Sequence, residues 1–246
     1  MGFLRDLSFV IMPSGIKKYQ SSSFDAQFAT AYKAGQIAWY PWVGKQYPTS
    51  TCKVLVILES HYINRERNNI EALALPDFTR RIVAEQIIPQ YYWKSNTFNN
   101  LTACLSGRNL PPEEMHHLWE KAALYNFVQR PMESPDARPV AQDFEIGWKA
   151  FLTVTDILRP DVCIFAGFAA ISYLDKLPAG LQVTGTTPWE KEEINGTYPR
   201  PCFTIVTPHG TLKGAAVKHP GRFFTIDKWR AVLQKQIPQA VRDLSL

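Results

Sequence analysis

With 246 residues, 46% of them hydrophobic and 20% charged, the chain is long enough to bury a sizeable core as one large domain. Its 13 glycines, 18 prolines and 13% aromatics exclude a disordered, collagen-like or coiled-coil protein. The formal charge of +5 admits an anionic partner without naming one.

No apolar run approaches the ~20 residues a membrane helix needs. The amino terminus, Met1-Gly2-Phe3-Leu4-Arg5-Asp6, interrupts its apolar stretch with charge and carries no signal-peptide cleavage pattern. Asp6 sits where a myristoylation signal wants Ser or Thr. Cys52, Cys104, Cys163 and Cys202 lie far apart with no CxxC, which supports neither a metal or iron–sulfur site nor a disulfide framework. The expectation is a soluble, monomeric protein of a reducing compartment, cytoplasmic or nucleoid-associated, without cofactor.

In chain order, a helix is expected from Asp25 to Ala34, then an aromatic stretch, Trp39-Tyr40-Pro41-Trp42. Lys53 to Leu58 reads as a buried strand: short, apolar and rich in β-branched residues. Helical patterns follow at Asp77–Ile88 and Pro112–Ala123, then a second strand from Leu124 to Val128. A helix at Phe144–Leu158, a third strand at Val162–Phe165 and a helix at Phe168–Leu177 come next. Pro178 to Pro201 reads as a long excursion, Phe203–Val206 as a fourth strand, and Ala215–Lys218 as a short strand closing the sheet. Thr225 caps a last helix through Trp229 and Leu233 to Pro238. Continuous apolar strands alternating with helices predict an α/β fold, a three-layer α/β/α arrangement with a central, mainly parallel four- or five-stranded sheet. Residues 1–246 are taken as a single domain, with the first 50 as an extension packing on the core.

In such sheets, ligands bind beyond the carboxyl ends of the strands. Glu59, Ser60, His61 and Tyr62 follow the first strand, Asn126 and Gln129 the second, Gly167 and Phe168 the third. Pro208-His209-Gly210 and His219-Pro220-Gly221 follow the late ones.

The ordered set resembles the uracil-DNA glycosylase superfamily. In that family a first strand ends in Gly-Gln-Asp-Pro-Tyr, a second carries Leu-Leu-Asn, a Gly-Trp-x-x-Phe helix follows, and a late loop reads His-Pro-Ser. This chain has Leu58-Glu59-Ser60-His61-Tyr62, Leu124-Tyr125-Asn126, Gly147-Trp148-Lys149-Ala150-Phe151 and His219-Pro220-Gly221, colinear over about Val54 to Trp229. The resemblance implies a DNA glycosylase that flips and excises uracil or another damaged base by hydrolysing the N-glycosidic bond. It implies that Asn126 reads the imide edge of the base, as an amide with donor and acceptor can. His219 would stabilise charge developing on the departing base, with His209 as the fallback. Tyr62 would wall the pocket against the methyl group of thymine, with His61 beside it. Lys218 and Arg222 would grip phosphate, and Phe223 or Phe224 would serve as the wedge.

Departures bear on catalysis. Ser60 stands where the family has its Asp, and a neutral serine cannot supply that field. Glu59, at the family's Gln, is the nearest carboxylate and a candidate base. Leu58 replaces a glycine, and Gly221 replaces a serine hydroxyl. A catalytically weak or inactive nucleic-acid or nucleotide binder of the same fold is therefore the alternative. A small serine hydrolase, with Ser60 activated by His61 or His219, is the second alternative, although the glycines of a nucleophile elbow are absent. From Arg200 onward eight basic residues face only Asp227 and Asp243, while the rest of the chain is almost neutral. That excess reads either as the solvated face of the last helix or as a phosphate footprint around His219.

Overall fold

A computed structural model describes residues 18–64, 70–88, 96–185 and 193–246. The amino-terminal hexapeptide and residues 186–192 of the expected excursion lie outside them. The chain forms α1 (Asp25–Lys33), β1 (Trp42–Val43), β2 (Val54–Leu58), α2 (Ile70–Leu73) and α3 (Phe78–Arg81), which runs straight into a π-helical turn at Ile82–Ile87. Next come α4 (Asn96–Ser106), α5 (Met115–Trp119), β3 (Ala122–Asn126), α6 (Ala141–Leu158) and β4 (Val162–Ala166). A 3₁₀ segment at Ala170–Lys176, β5 (Gln182–Thr184), β6 (Phe203–Thr207), β7 (Gly210–Val217), α7 (Ile226–Gln236) and α8 (Pro238–Leu244) complete it.

The fold is α/β around a seven-stranded mixed sheet in the order β1-β3-β2-β4-β7-β6-β5. Its centre, β3-β2-β4-β7, is parallel. Each of β2, β3 and β4 is five buried residues, the pattern of strands covered on both faces. Side chains alternate between two cores. Val54, Val56 and Leu58 join Leu101, Ile164, Val217, Trp229 and Leu233 in one. Leu55 and Ile57 join Phe28, Tyr125, Trp148, Phe151 and Phe165 in the other.

Several expectations are corrected. The sheet has seven strands rather than four or five. Phe203–Thr207 is not a parallel strand: it pairs antiparallel with β7 through a tight Pro208–His209 turn, because two intervening residues leave no room for a crossover. Trp42–Val43, within a stretch expected only to pack on the core, adds an antiparallel edge strand against β3. Pro112–Ala123 is helical only to Trp119, and Ala122 and Ala123 already belong to β3. Alanine's helix propensity is overridden there by pairing with Val54 and Leu55.

The Gly147-Trp148-x-x-Phe151 helix has a structural explanation. Trp148 and Phe151 are fully buried, and Trp148 packs edge-on against Phe127 at 5.0 Å. A Cβ at Gly147 would lie 2.3 Å from the Phe127 ring, so only glycine lets α6 approach the residue following Asn126 this closely.

Candidate functional site

The ladder between β2 and β3 continues past both strands. Phe127 and Val128 donate backbone N–H to Leu58 and Glu59 at 2.8 and 2.9 Å, Met132 donates to His61 at 2.8 Å, and Ile63 donates back to Met132 at 2.7 Å. This holds Glu59 to Tyr62 beside Asn126, itself in register with Leu58. On the far side, β7 ends at Val217 and His219 follows. The Nδ2 group of Asn100 in α4 donates to the carbonyls of Pro220 and Gly221 at 2.9 and 3.2 Å, pinning that loop.

A cleft of about 790 Å³ opens there, at the carboxyl ends of the parallel strands. It is lined by Glu59, Ser60, His61, Tyr62, Asn126 and His219. Six sequence-predicted residues therefore share one site. His209 does not. It sits on the β6–β7 turn, at the opposite end of β7, and its Nε2 meets the Asp156 carboxylate at 2.5 Å.

Asn126 is 3% exposed, and its Oδ1 is a buried acceptor with no hydrogen-bond partner among the described residues. An orphaned acceptor of this kind is costly unless a ligand or water completes it. His219 lies exposed on the rim. The Gly221 N–H points to its Nδ1 at 3.2 Å, so Nδ1 accepts and the neutral ring carries its proton on Nε2. Shielding by the cleft lowers the pKa of His219; Glu59 opposes this and Arg138 adds to it. The shift favours the neutral ring, with an Nε2–H to offer.

His61 has a different character from the role expected of it. It is buried, its Nε2 is 2.8 Å from Thr79 Oγ1, and its ring lies edge-on between Trp39 and Phe78. Burial pushes its pKa down to about 3. His61 thus forms a neutral wall of the cleft with one nitrogen already committed. No hydrogen bond joins Ser60 to His61 or His219 among the described residues, which leaves the nucleophile reading without an activating base.

The adjacent aromatics part ways. Phe224 stacks on Trp229 at 6.2 Å and packs against the core. Phe223 is 81% exposed at φ +61, a left-handed conformation unusual for an aromatic residue.

The carboxy-terminal charge also divides. Arg230 donates to the carbonyls of Cys104 and Leu105, both at 2.8 Å, and to Ser245 Oγ at 2.7 Å, so it ties α7 to the end of α4 and to the chain terminus. Arg200 lies over the Phe168 ring at 5.5 Å. Of the eight cations, Lys218 and Arg222 flank the His219 loop. Arg81 and Arg138, from the nearly neutral part of the chain, line the cleft. Sequence reasoning passed over both, as it did Glu85, Thr97 and Asn100, because none lies at the end of a recognisable strand.

The four cysteines are buried, and no disulfide joins them. No group of three His, Cys, Asp or Glu among the described residues is placed to hold a metal. No described helix is long and apolar enough to cross a membrane. No protein-family model matches the chain, and no curated protein matches it significantly.

Proposed function

We propose that the chain is a DNA glycosylase-like protein of the uracil-DNA glycosylase superfamily, acting in the cytoplasm or nucleoid on uracil or another damaged base. The observation that carries the reading is the cleft joining a buried, partnerless Asn126 acceptor to His219 across the ends of the parallel strands. The three-layer α/β/α arrangement belongs to this reading, and the two cores on opposite faces of the sheet support it.

In the proposed reaction the base leaves the stack and enters the cleft. Its imide N–H donates to Asn126 Oδ1. As the C1′–N bond breaks, the electron pair leaves with the base, and the charge on its oxygen meets Nε2–H of His219. Water adds to C1′, and Glu59 takes its proton. Glu59 lines the cleft and its carboxylate acts on His219, which supports that role. Tyr62 bounds the pocket through a backbone bridge to Met132. Phe223, exposed beside the His219 loop, is the wedge, and Lys218 and Arg222 hold phosphate.

The test is incubation of uracil-containing single- and double-stranded oligonucleotides with excess protein, followed by alkaline cleavage of abasic sites. Uracil-dependent strand breaks support the reading; intact oligonucleotides across a panel of damaged bases refute excision. A binder of the same fold is the second reading. It is favoured by the uncharged Ser60 at the position of the family's carboxylate, and it predicts salt-dependent oligonucleotide binding without breaks.

A further inference from the structure

The loop between β3 and α6 carries the cleft-lining Ser134, Pro135, Ala137 and Arg138. It is held at several points. The side-chain amide of Gln129 donates to the Asn126 carbonyl at 2.8 Å, while its Oε1 accepts from the Ala38 N–H at 2.8 Å. Arg130 makes a two-pronged bond to the buried Asp143 carboxylate at 2.6 and 2.8 Å, and Asp143 also accepts from the Val140 N–H at 2.8 Å. Burial alone would raise the pKa of Asp143, but these hydrogen bonds hold it below the ordinary value. The Ala137 N–H closes a turn onto Ser134 at 3.2 Å. Arg138 is therefore presented from a braced loop, which reduces the entropy lost when it binds a ligand.

Its charge is available. Arg138 is exposed, and among the described residues its guanidinium bonds only the carbonyls of Pro135 and Ala137, at 3.2 and 3.1 Å. Among the described residues it pairs with no carboxylate, whereas Arg81, the other cation lining the cleft, pairs with Asp77 at 3.0 Å. Sheet order puts β3 and β7 on either side of β2 and β4, three strand spacings or about 14 Å apart. Arg138 enters the cleft from the β3–α6 loop, close enough for its charge to act on His219, while Lys218 and Arg222 flank His219 on the loop after β7.

We propose that Arg138 is a second phosphate grip: a nucleic-acid strand crosses the cleft between Arg138 and the Lys218–Arg222 loop, with a phosphodiester held on each side of the base that reaches Asn126. This rests on the proposed function, and adds that the strand is gripped from a wall outside the resembling motifs. An arginine with no competing carboxylate suits a phosphate, which it can bind through two N–H groups.

Fluorescence anisotropy with a labelled single-stranded oligonucleotide tests it, comparing the wild type, Arg138→Ala and Arg242→Ala across a salt series. Arg242 lies on α8 beside Gln239 and serves as a charge-matched control. Arg138→Ala is expected to weaken binding about tenfold and to reduce the slope of log affinity against log salt by about 0.7, with Arg242→Ala unchanged. Wild-type affinity retained by Arg138→Ala overturns the proposal and leaves the glycosylase reading intact. No oligonucleotide binding by the wild type overturns both. Unlabelled deoxyuridine monophosphate competing as well as the oligonucleotide overturns the strand in favour of a single nucleotide.

Discussion

His61 offers a sharp quantitative test, because its environment is buried and apolar apart from Thr79. Its pKa falls from 6.5 to about 3 in the folded chain. The unfolded chain therefore binds a proton below pH 6.5 that the folded chain refuses until about pH 3. With more protons on the unfolded state, stability rises with pH across that window and is lost as pH falls through it. Linkage gives a loss of about 2 kcal/mol between pH 7 and pH 5 from this one ring. The assay is urea unfolding at both pH values for the wild type and for His61→Gln, which keeps a partner for Thr79 but does not titrate. The wild type should lose about 2 kcal/mol more than the variant. Parallel losses in the two proteins would refute the assignment of His61 as a neutral wall residue.

The remaining expectations concern the cleft and its rim. If the proposed reaction holds, Ser60→Asp adds a carboxylate to the cleft that stabilises positive charge on the sugar, and should raise base release by about 10²–10³-fold in the alkaline-cleavage assay. Nuclear magnetic resonance titration of His219 should find its pKa lower still in Glu59→Gln, which removes the anion that raises it, and higher in Arg138→Ala, which removes a cation that lowers it. Phe223→Gly relieves the left-handed backbone and should stabilise the fold by about 1 kcal/mol in urea unfolding while weakening duplex binding.

Much of the frame was legible because the parallel strands announce themselves. Val54-Leu55-Val56-Ile57-Leu58 has no polar face to present, so it had to lie between two covered sides, and residue 59 had to begin a loop at the site edge. Two features hid the antiparallel pairing of Phe203–Thr207 with β7. Their apolar stretches look like those of a parallel strand, and the hairpin turn is short enough to be read as part of a loop. Helix α4 escaped notice because Asn96-Thr97-Phe98-Asn99-Asn100 opens it with weak helix formers, and its stability comes from burying Leu101, Cys104 and Leu105. At the site, Glu59, Ser60, Tyr62, Asn126 and His219 were legible from strand ends. The buried wall position of His61 and the parting of exposed Phe223 from packed Phe224 were not, since an exposed or a buried side chain can follow the same motif. Arg138 was hidden for a further reason: it lies far past β3, on a loop whose ties through Gln129 and Arg130–Asp143 are long-range contacts rather than a sequence motif.

The central claim is that Asn126 and His219 together receive a base. A direct measurement is nitrogen-15 spectroscopy of the protein with a short single strand carrying one 2′-fluorinated deoxyuridine, whose glycosidic bond resists hydrolysis, against the same strand with thymidine. The account predicts that the Asn126 side-chain amide and the His219 ring nitrogens shift with the uracil strand and move far less with thymidine. Identical responses to the two strands, or shifts that leave both residues untouched, would contradict it.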